Sequence, residues 1–202
     1  MELVIVSASQ RSQSQSAKVA RYLNERVEGF SKVNHIELYQ YNLPFWDGSA
    51  ETKSAAGSRW PIISQQINKA DALVLITPEW GGMASPLMKN FLLMCDKQDT
   101  AHKPALLVAV VSGISGAYPI AELRMNALKN NKLVAIPDHL IIRNVEQVLN
   151  HDKPDDEREL HLRERIDYSL HMLEQYSEAL KTIRYQHQNQ PFPKQQEYSY
   201  GM

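Results

Sequence analysis

The sequence predicts an α/β fold in which helices cover both faces of a parallel sheet. Three observations point there. Five strand-like segments alternate with helical patterns from the first residue onward. Four of the five are continuously apolar, as strands covered on both sides must be. Loops of small and polar residues follow the first, third and fourth segments, and open parallel sheets hold their ligands beyond such carboxyl ends.

The elements follow in order. The first strand spans 2–6 through the apolar run Leu3-Val4-Ile5-Val6, and Ala20, Leu23, Val27 and Phe30 then share one helical face. The second segment, 34–39, alternates: Ile36 and Leu38 lie on one side and His35, Glu37 and Tyr39 on the other, which predicts an edge strand with one wetter face. The third, "ALVLIT" at 72–77, precedes a Ser85-Pro86 helix start, because serine caps free amides and proline lacks the amide that would go unpaired. That helix runs to about 97, with Leu87, Phe91, Met94 and Cys95 in one stripe. The fourth and fifth strands are 105–111 and 133–136. A last long helix over 157–181 shows Leu162, Ile166, Leu170, Leu173 and Leu180 in a stripe, with Glu159 and Arg163 spaced as a helical ion pair. The acidic run 152–159 is a loop and the start of that helix.

One domain, 1–183, is therefore expected, followed by a polar tail, 184–202, with five glutamines, two prolines and too little aliphatic surface to fold alone. Two readings of the tail stay open: a loose terminus, or an arm whose Phe192, Tyr198 and Tyr200 dock on a neighbouring subunit. The 22 basic and 23 acidic side chains nearly cancel, so no excess positive field exists to hold a nucleic acid or an anionic membrane. The single cysteine, Cys95, excludes an intramolecular disulfide and sits on an apolar stripe, as a buried inert thiol would. A start without a basic region and the lack of an apolar run near 20 residues predict a soluble, cytoplasmic protein. Seven histidines show neither an i,i+4 pair nor a C-x-x-C partner, so no metal site is expected. The segment "NLPFWD" at 42–47 reads either as a turn plugged by Phe45 and Trp46 or as an overhang at a ligand edge or subunit interface.

Three strand-end loops carry the chemistry: 7–16, 78–85 and 112–117. The first, "SASQRSQSQS", leads into a helix beginning near Ser14 or Ser16, whose free amides and dipole would favour an anion. Its hydroxyls donate without adding charge, Arg11 offers a forked contact, and no acid occurs between Glu2 and Glu25. It lacks the glycine pattern of both the nucleoside-triphosphate loop and the dinucleotide fingerprint, and an ordinary polar turn with a serine cap is the competing reading. In the second loop Gly81 and Gly82 would let the backbone approach a flat ligand while Trp80 stacks on it; the alternative is a turn with an aromatic plug. The third, "SGISGAYP", again supplies small residues.

The pattern Ser9-x-Arg11-x-x-Ser14 after the first strand, "TPEW" followed by "SPLMKN" after the third, and "VSGISG" after the fourth resembles the NADPH-dependent FMN reductase family, which includes azo-, quinone- and chromate-reducing flavoproteins. The resemblance covers roughly residues 1–180. It implies a flavodoxin-like three-layer sandwich, a five-stranded sheet of order 2-1-3-4-5, and FMN across the first and third strand ends. Ser9, Arg11, Ser14 and Ser16, with Gln15 among them, would hold the phosphate. Pro78, Glu79, Trp80 and Gly81 would follow the isoalloxazine ring through their backbones, and Ser112, Gly113, Ser115 and Gly116 would line its other side. Pro86, Lys89 and Asn90 match a structural helix start. The family commonly has tyrosine and asparagine where Trp80 and Gly81 stand, and often a glycine where Gln13 sits.

The implied reaction moves a hydride from NADPH or NADH to the flavin and on to a small acceptor such as a flavin, quinone or azo compound. It requires no side-chain acid or base in its first half, so no catalytic residue is nominated. The altered Trp80-Gly81 pair keeps a second reading open, a non-enzymatic flavodoxin-like module that binds FMN or another phosphate for electron relay or regulation. The resemblance also implies a homodimer or homotetramer.

Overall fold

The computed structural model describes residues 1–198. Strand β1 (Glu2–Ser7) is followed by helix α1 (Gln15–Arg26) and strand β2 (Lys32–Glu37). Short helix α2 (Ala50–Lys53) and helix α3 (Trp60–Lys69) lead to strand β3 (Ala72–Trp80), which folds back on the two-residue strand β4 (Met83–Ala84). Helices α4 (Pro86–Met94) and α5 (Lys97–Thr100), strand β5 (Pro104–Val110), helix α6 (Ala117–Asn126), strand β6 (Val134–Ile142) and helix α7 (Glu157–Asn189) complete the chain.

The order is β2-β1-β3-β5-β6, all parallel, with β4 antiparallel beside β3. The expected 2-1-3-4-5 order therefore holds, with one short sixth strand added. Period-two alternation splits the core into two layers. Val4, Val6, Leu73, Leu75 and Leu107 meet α3, α4 and α6 through Ile63, Phe91 and Leu123. Leu3, Ile5, Val74, Ile76 and Val108 meet α1 and α7 through Leu23, Ile166 and Leu173. Each such side chain, removed fully from water, contributes roughly 1.5–3 kcal/mol before the entropy of ordering it. Phe91 meets Trp60 edge-on, with ring centroids 6.0 Å apart.

Several boundaries differ from the sequence reading. The second strand spans 32–37, and the residues after it, Leu38–Gln40, turn into a 3-10 helix. Its edge position and alternation are as expected, and His35 on the wetter side meets Ser7 Oγ at 2.9 Å. Helix α1 stops at Arg26, so Val27 and Phe30 pack on the core from the following loop. The segment 78–85 is not an open loop, because β3 continues through Trp80 and turns back at once. The fifth major strand runs to Ile142 instead of 136: Pro137 falls where the pairing with β5 shifts register, so the missing amide costs no ladder bond. Helix α4 ends at Met94, where the buried Cys95 caps it and α5 begins anew. Burial pushes the Cys95 thiol well up from its ordinary value, as for an inert thiol.

Helix α7 extends through Asn189, so residues 184–189 of the polar segment continue the helix and are not part of a tail. Glu159 and Arg163 form the expected helical ion pair, and it is buried. The Arg163 guanidinium donates to Glu159 Oε1 and to the carbonyls of His151 and Asp152, which ties the preceding loop to the helix. Phe192 is exposed, Tyr198 ends a 3-10 turn, and Tyr200 lies outside the described residues. No helix among the described residues is long and apolar enough to cross a membrane. Phe45 is exposed while Trp46 packs on the core, so only one of the two aromatics plugs the 42–47 turn.

Candidate functional site

Strands β1 and β3 are neighbours, yet the chain leaves β1 toward β2 on one side and leaves β3 toward β5 on the other. That divergence opens a crevice beyond their carboxyl ends. The three loops singled out above meet there.

The first loop leaves Ser7 and enters α1. Ser14 is the N-cap: its Oγ accepts from the Ala17 amide at 3.0 Å. Ser9 is buried and its Oγ accepts from the Arg11 amide at 3.2 Å, which shapes the turn from within. Gln15 and Ser16 open the helix, and Gln15 Oε1 and Ser16 Oγ are buried polar atoms without a hydrogen-bond partner. The Arg11 guanidinium stands 5.5 Å from the centre of the Trp80 ring, which links this loop to the second.

The second loop is the β3–β4 hairpin. Trp80 pairs with Met83 across Gly81 and Gly82, whose φ angles of 59° and 77° are the left-handed values that a tight two-residue turn demands. The two glycines therefore serve the turn itself. Pro78 is buried and pairs with Val110. Glu79 accepts a short hydrogen bond from Ser115 Oγ on one carboxylate oxygen, while its other oxygen, Oε1, is buried without a partner. The hairpin is anchored below by Thr77 and Ser85: the Ser85 amide donates to Thr77 Oγ1 at 2.9 Å, and Ser85 Oγ donates to the Ala8 carbonyl at 2.6 Å.

The third loop follows β5. Ser112, Gly113 and Ser115 are exposed, whereas Gly116 is buried at the start of α6 with φ of 106°. A Cβ on Gly116 would lie 2.2 Å from Ile141 Cγ2, so this glycine is required by packing and backbone together. Gly113 faces open space. The Gly113 carbonyl accepts from the Asn144 amide at 3.0 Å, and Arg143 Nε donates to the Ser115 carbonyl at 2.9 Å.

The thirteen expected site residues sit on or beside the three loops that follow β1, β3 and β5, and Arg11–Trp80 and Ser115–Glu79 join those loops. Sequence reasoning missed Thr77, Arg143 and the second bond of Ser85, which hold the rim without a motif of their own; only the Gly81-Gly82 pair between apolar residues signalled the hairpin. Lys89 pairs with Glu122 at 3.0 Å, and Asn90 accepts from the Trp46 amide and donates to the Pro44 carbonyl, so both are structural.

A switch-point crevice with an anion-favouring helix start and an aromatic hairpin defines an α/β protein that binds a flat, phosphorylated cofactor. The chain belongs to the NADPH-dependent FMN reductase family, whose model matches residues 1–147. It is 26% identical over 145 residues to an NADPH azoreductase of Bacillus sp., an alignment spanning 70% of this chain and 76% of that protein. It is 25% identical over 120 residues to a quinone reductase of Pseudomonas putida, spanning 57% of this chain and 63% of the other. A solved oxidoreductase from Corynebacterium diphtheriae shares the fold, with a TM-score of 0.71 at 19% identity over 87% of this chain and 95% of that one. Family membership makes the protein an oxidoreductase with FMN as cofactor and reduced nicotinamide as electron donor, which displaces the non-enzymatic reading.

The residues present suit that cofactor. Ser16 Oγ, which can donate to a phosphate oxygen, is unsatisfied at the start of a helix, beside an arginine and with no acid between Glu2 and Glu25, while the unsatisfied Gln15 Oε1 is an acceptor open to a hydroxyl donor. Buried polar atoms are rarely left unpaired, so these two remain open to a hydrogen-bonding partner.

Proposed function

We propose that the protein passes electrons from reduced nicotinamide through FMN to a flat, largely apolar acceptor of the quinone or azo class. The observation carrying the choice of acceptor is the apolar collar around the hairpin. Met83, Ile114 and Tyr118 are 53%, 82% and 70% exposed. Met83 and Tyr118 lie beside the turn, with Met83 Cε 3.8 Å and Tyr118 Cδ2 3.7 Å from where Cβ atoms on Gly81 and Gly82 would stand. Exposed apolar groups beside a polar crevice favour a flat ligand with apolar faces.

When bound, the cofactor supplies hydride acceptance and two-electron delivery. The chain binds and orients. In this reading Arg11, Ser16 and the first amides of α1 receive the phosphate, with Ser9 and Ser14 shaping the loop and Gln15 beside it. Pro78, Glu79, Trp80 and Gly81 flank one side of the ring and Ser112, Gly113, Ser115 and Gly116 the other, with Glu79 Oε1 an acceptor for a ring N–H. Trp80 takes the place of the tyrosine common in the family and adds a stacking partner for Arg11. We also read the protein as a homodimer or homotetramer in a cytoplasmic setting; exposed Phe45 and Met125, at 83% and 80%, are candidates for burial between subunits.

The test is anaerobic stopped flow. FMN-loaded protein mixed with NADPH or NADH should bleach in a fast, saturable step, and a benzoquinone or azo dye should restore the absorbance. No bleaching overturns the oxidoreductase reading. Bleaching that neither acceptor reverses overturns the acceptor class alone.

A further inference from the structure

A second concave site lies at the opposite end of the sheet, where the amino ends of β3, β5 and β6 meet the far end of α7. Its volume is about 610 Å³, within the range of small-molecule sites. Six cationic side chains line it: Lys69, Lys97, Lys103, Lys132, Lys181 and Arg184. Asp71 is the one carboxylate among the described lining residues. In a chain with a net charge of −1, that is a marked local excess.

Asp71 offsets one of these charges, that of Arg184, and the exposed Glu178 pairs with Lys181 at 3.6 Å, so among the described residues the cations still outnumber the carboxylates beside them. Asp71 Oδ2 accepts from the Glu2 amide at 2.9 Å and Oδ1 accepts from Arg184 Nη2 at 2.9 Å. The nearby Asp99 is likewise held, by Ser64 Oγ and Asn68 Nδ2. The other terminal nitrogen of Arg184, Nη1, is buried with no hydrogen-bond partner. A charged donor left unpaired in the interior is costly, and the atom that would satisfy it is an anionic oxygen.

The surrounding backbone is held in an uncommon form for the same place. His102 and Lys132 both have positive φ, 62° and 56°, although neither is glycine, and the His102 amide donates to the Lys132 carbonyl at 2.9 Å. Both side chains are thereby committed to the cavity wall. The His102 ring packs edge-on against His187 of α7, with centroids 4.7 Å apart. Burial, and then Arg184, depresses the Lys103 ammonium to about 8. Burial, then His187, Lys132 and Arg184, also lowers the His102 imidazole. Burial is the larger cause in both, and the cationic neighbours add a smaller part that an anion would relieve.

We propose that this cavity is a second, non-flavin site that binds a small phosphorylated anion, with Arg184 as its central donor and Lys69 and Lys181 at its mouth. The amide of Gln188 adds a neutral donor on the α7 side. The reading does not depend on the FMN site, which lies at the carboxyl ends of the same strands.

The test uses full-length protein loaded with FMN, so that the flavin phosphate site is filled, and titrates inorganic pyrophosphate by calorimetry at low and at physiological salt. The expected result is one equivalent bound per chain, with a Kd below about 1 mM at low salt and weaker binding as salt rises. Arg184→Gln should weaken binding about tenfold or more. Because Arg184 also pairs with Asp71, a second variant, Lys69→Gln with Lys181→Gln, removes mouth charges at the cost of only the exposed Lys181–Glu178 pair, and should weaken binding about fivefold with the melting temperature kept. NADPH bleaching should be unchanged in both variants. Absence of saturable binding overturns the proposal, as does binding that both variants leave intact or that Arg11→Ala abolishes instead.

Discussion

Ser14 and Ser16 stand two residues apart and do different work. Ser14 spends its oxygen on the Ala17 amide, whereas Ser16 Oγ is buried and unpaired. Ser14→Ala should therefore lower stability by about 1 kcal/mol, as loss of an N-cap does. Ser16→Ala should leave stability unchanged and weaken FMN binding roughly fivefold to tenfold, as loss of one hydrogen bond to a charged group does. Urea melts and flavin fluorescence titrations separate the two, and equal FMN affinity of Ser16→Ala and the parent would remove Ser16 from the phosphate site. Lys103 gives a pH prediction at the same scale. Its ammonium is buried, donates to the Ile67 and Asn68 carbonyls, and titrates at about 8 against 10.5 when unfolded. Between those values the unfolded chain holds more protons than the native one, so this group's contribution to stability rises with pH across that window, and its penalty is complete below about 8. The stability of the parent relative to Lys103→Met should then increase by about 1–2 kcal/mol from pH 7.5 to 9.5. A flat or falling difference would contradict it.

At the scale of elements, the rim is made by how strands end and helices begin. Gly116→Ala must accept both a left-handed φ and a Cβ 2.2 Å from Ile141 Cγ2, and should cost at least about 2 kcal/mol. Gly113→Ala meets nothing within 4 Å and should cost less than about 0.5 kcal/mol. If Gly113 borders the flavin ring, that same variant still weakens FMN binding; unchanged affinity would take Gly113 out of the site. Strand positions were legible because buried parallel strands must be continuously apolar, and "ALVLIT" and "ALLVAVV" could be little else. Strand ends were less so. Trp80 continues β3 only because Met83 returns to pair with it, and β6 passes Pro137 only because a register shift accommodates it. The first is a local hairpin whose one signal is the glycine pair, whereas the second requires β5 in place as a partner.

At the scale of the molecule, α7 is the element that the polar composition of its far end concealed. Residues 184–189 have no apolar stripe to announce a helix, yet they remain helical because Arg184 reaches Asp71 and His187 reaches His102. A chain ended at 183 should therefore lose about 1–2 kcal/mol of stability, against no loss for a loose tail, as a urea midpoint with unchanged slope would show. Sedimentation of the same pair reports on the arm reading of the terminus, since an arm that holds subunits together cannot be removed without lowering the assembly mass.

From the order of residues alone come the fold class, the three strand-end loops and, through their spacing, the FMN reductase resemblance. These follow from local rules: apolar runs, helix caps and glycines act over a few residues, and the chain states them directly. Which serine caps and which is left unpaired, and how Arg11 comes to stand over Trp80, follow only from folding. The same is true of the six cations gathered at the far end of the sheet from a nearly neutral chain. Those outcomes join residues scattered along the sequence, and only the packed sheet and its two helical layers set the distances between them.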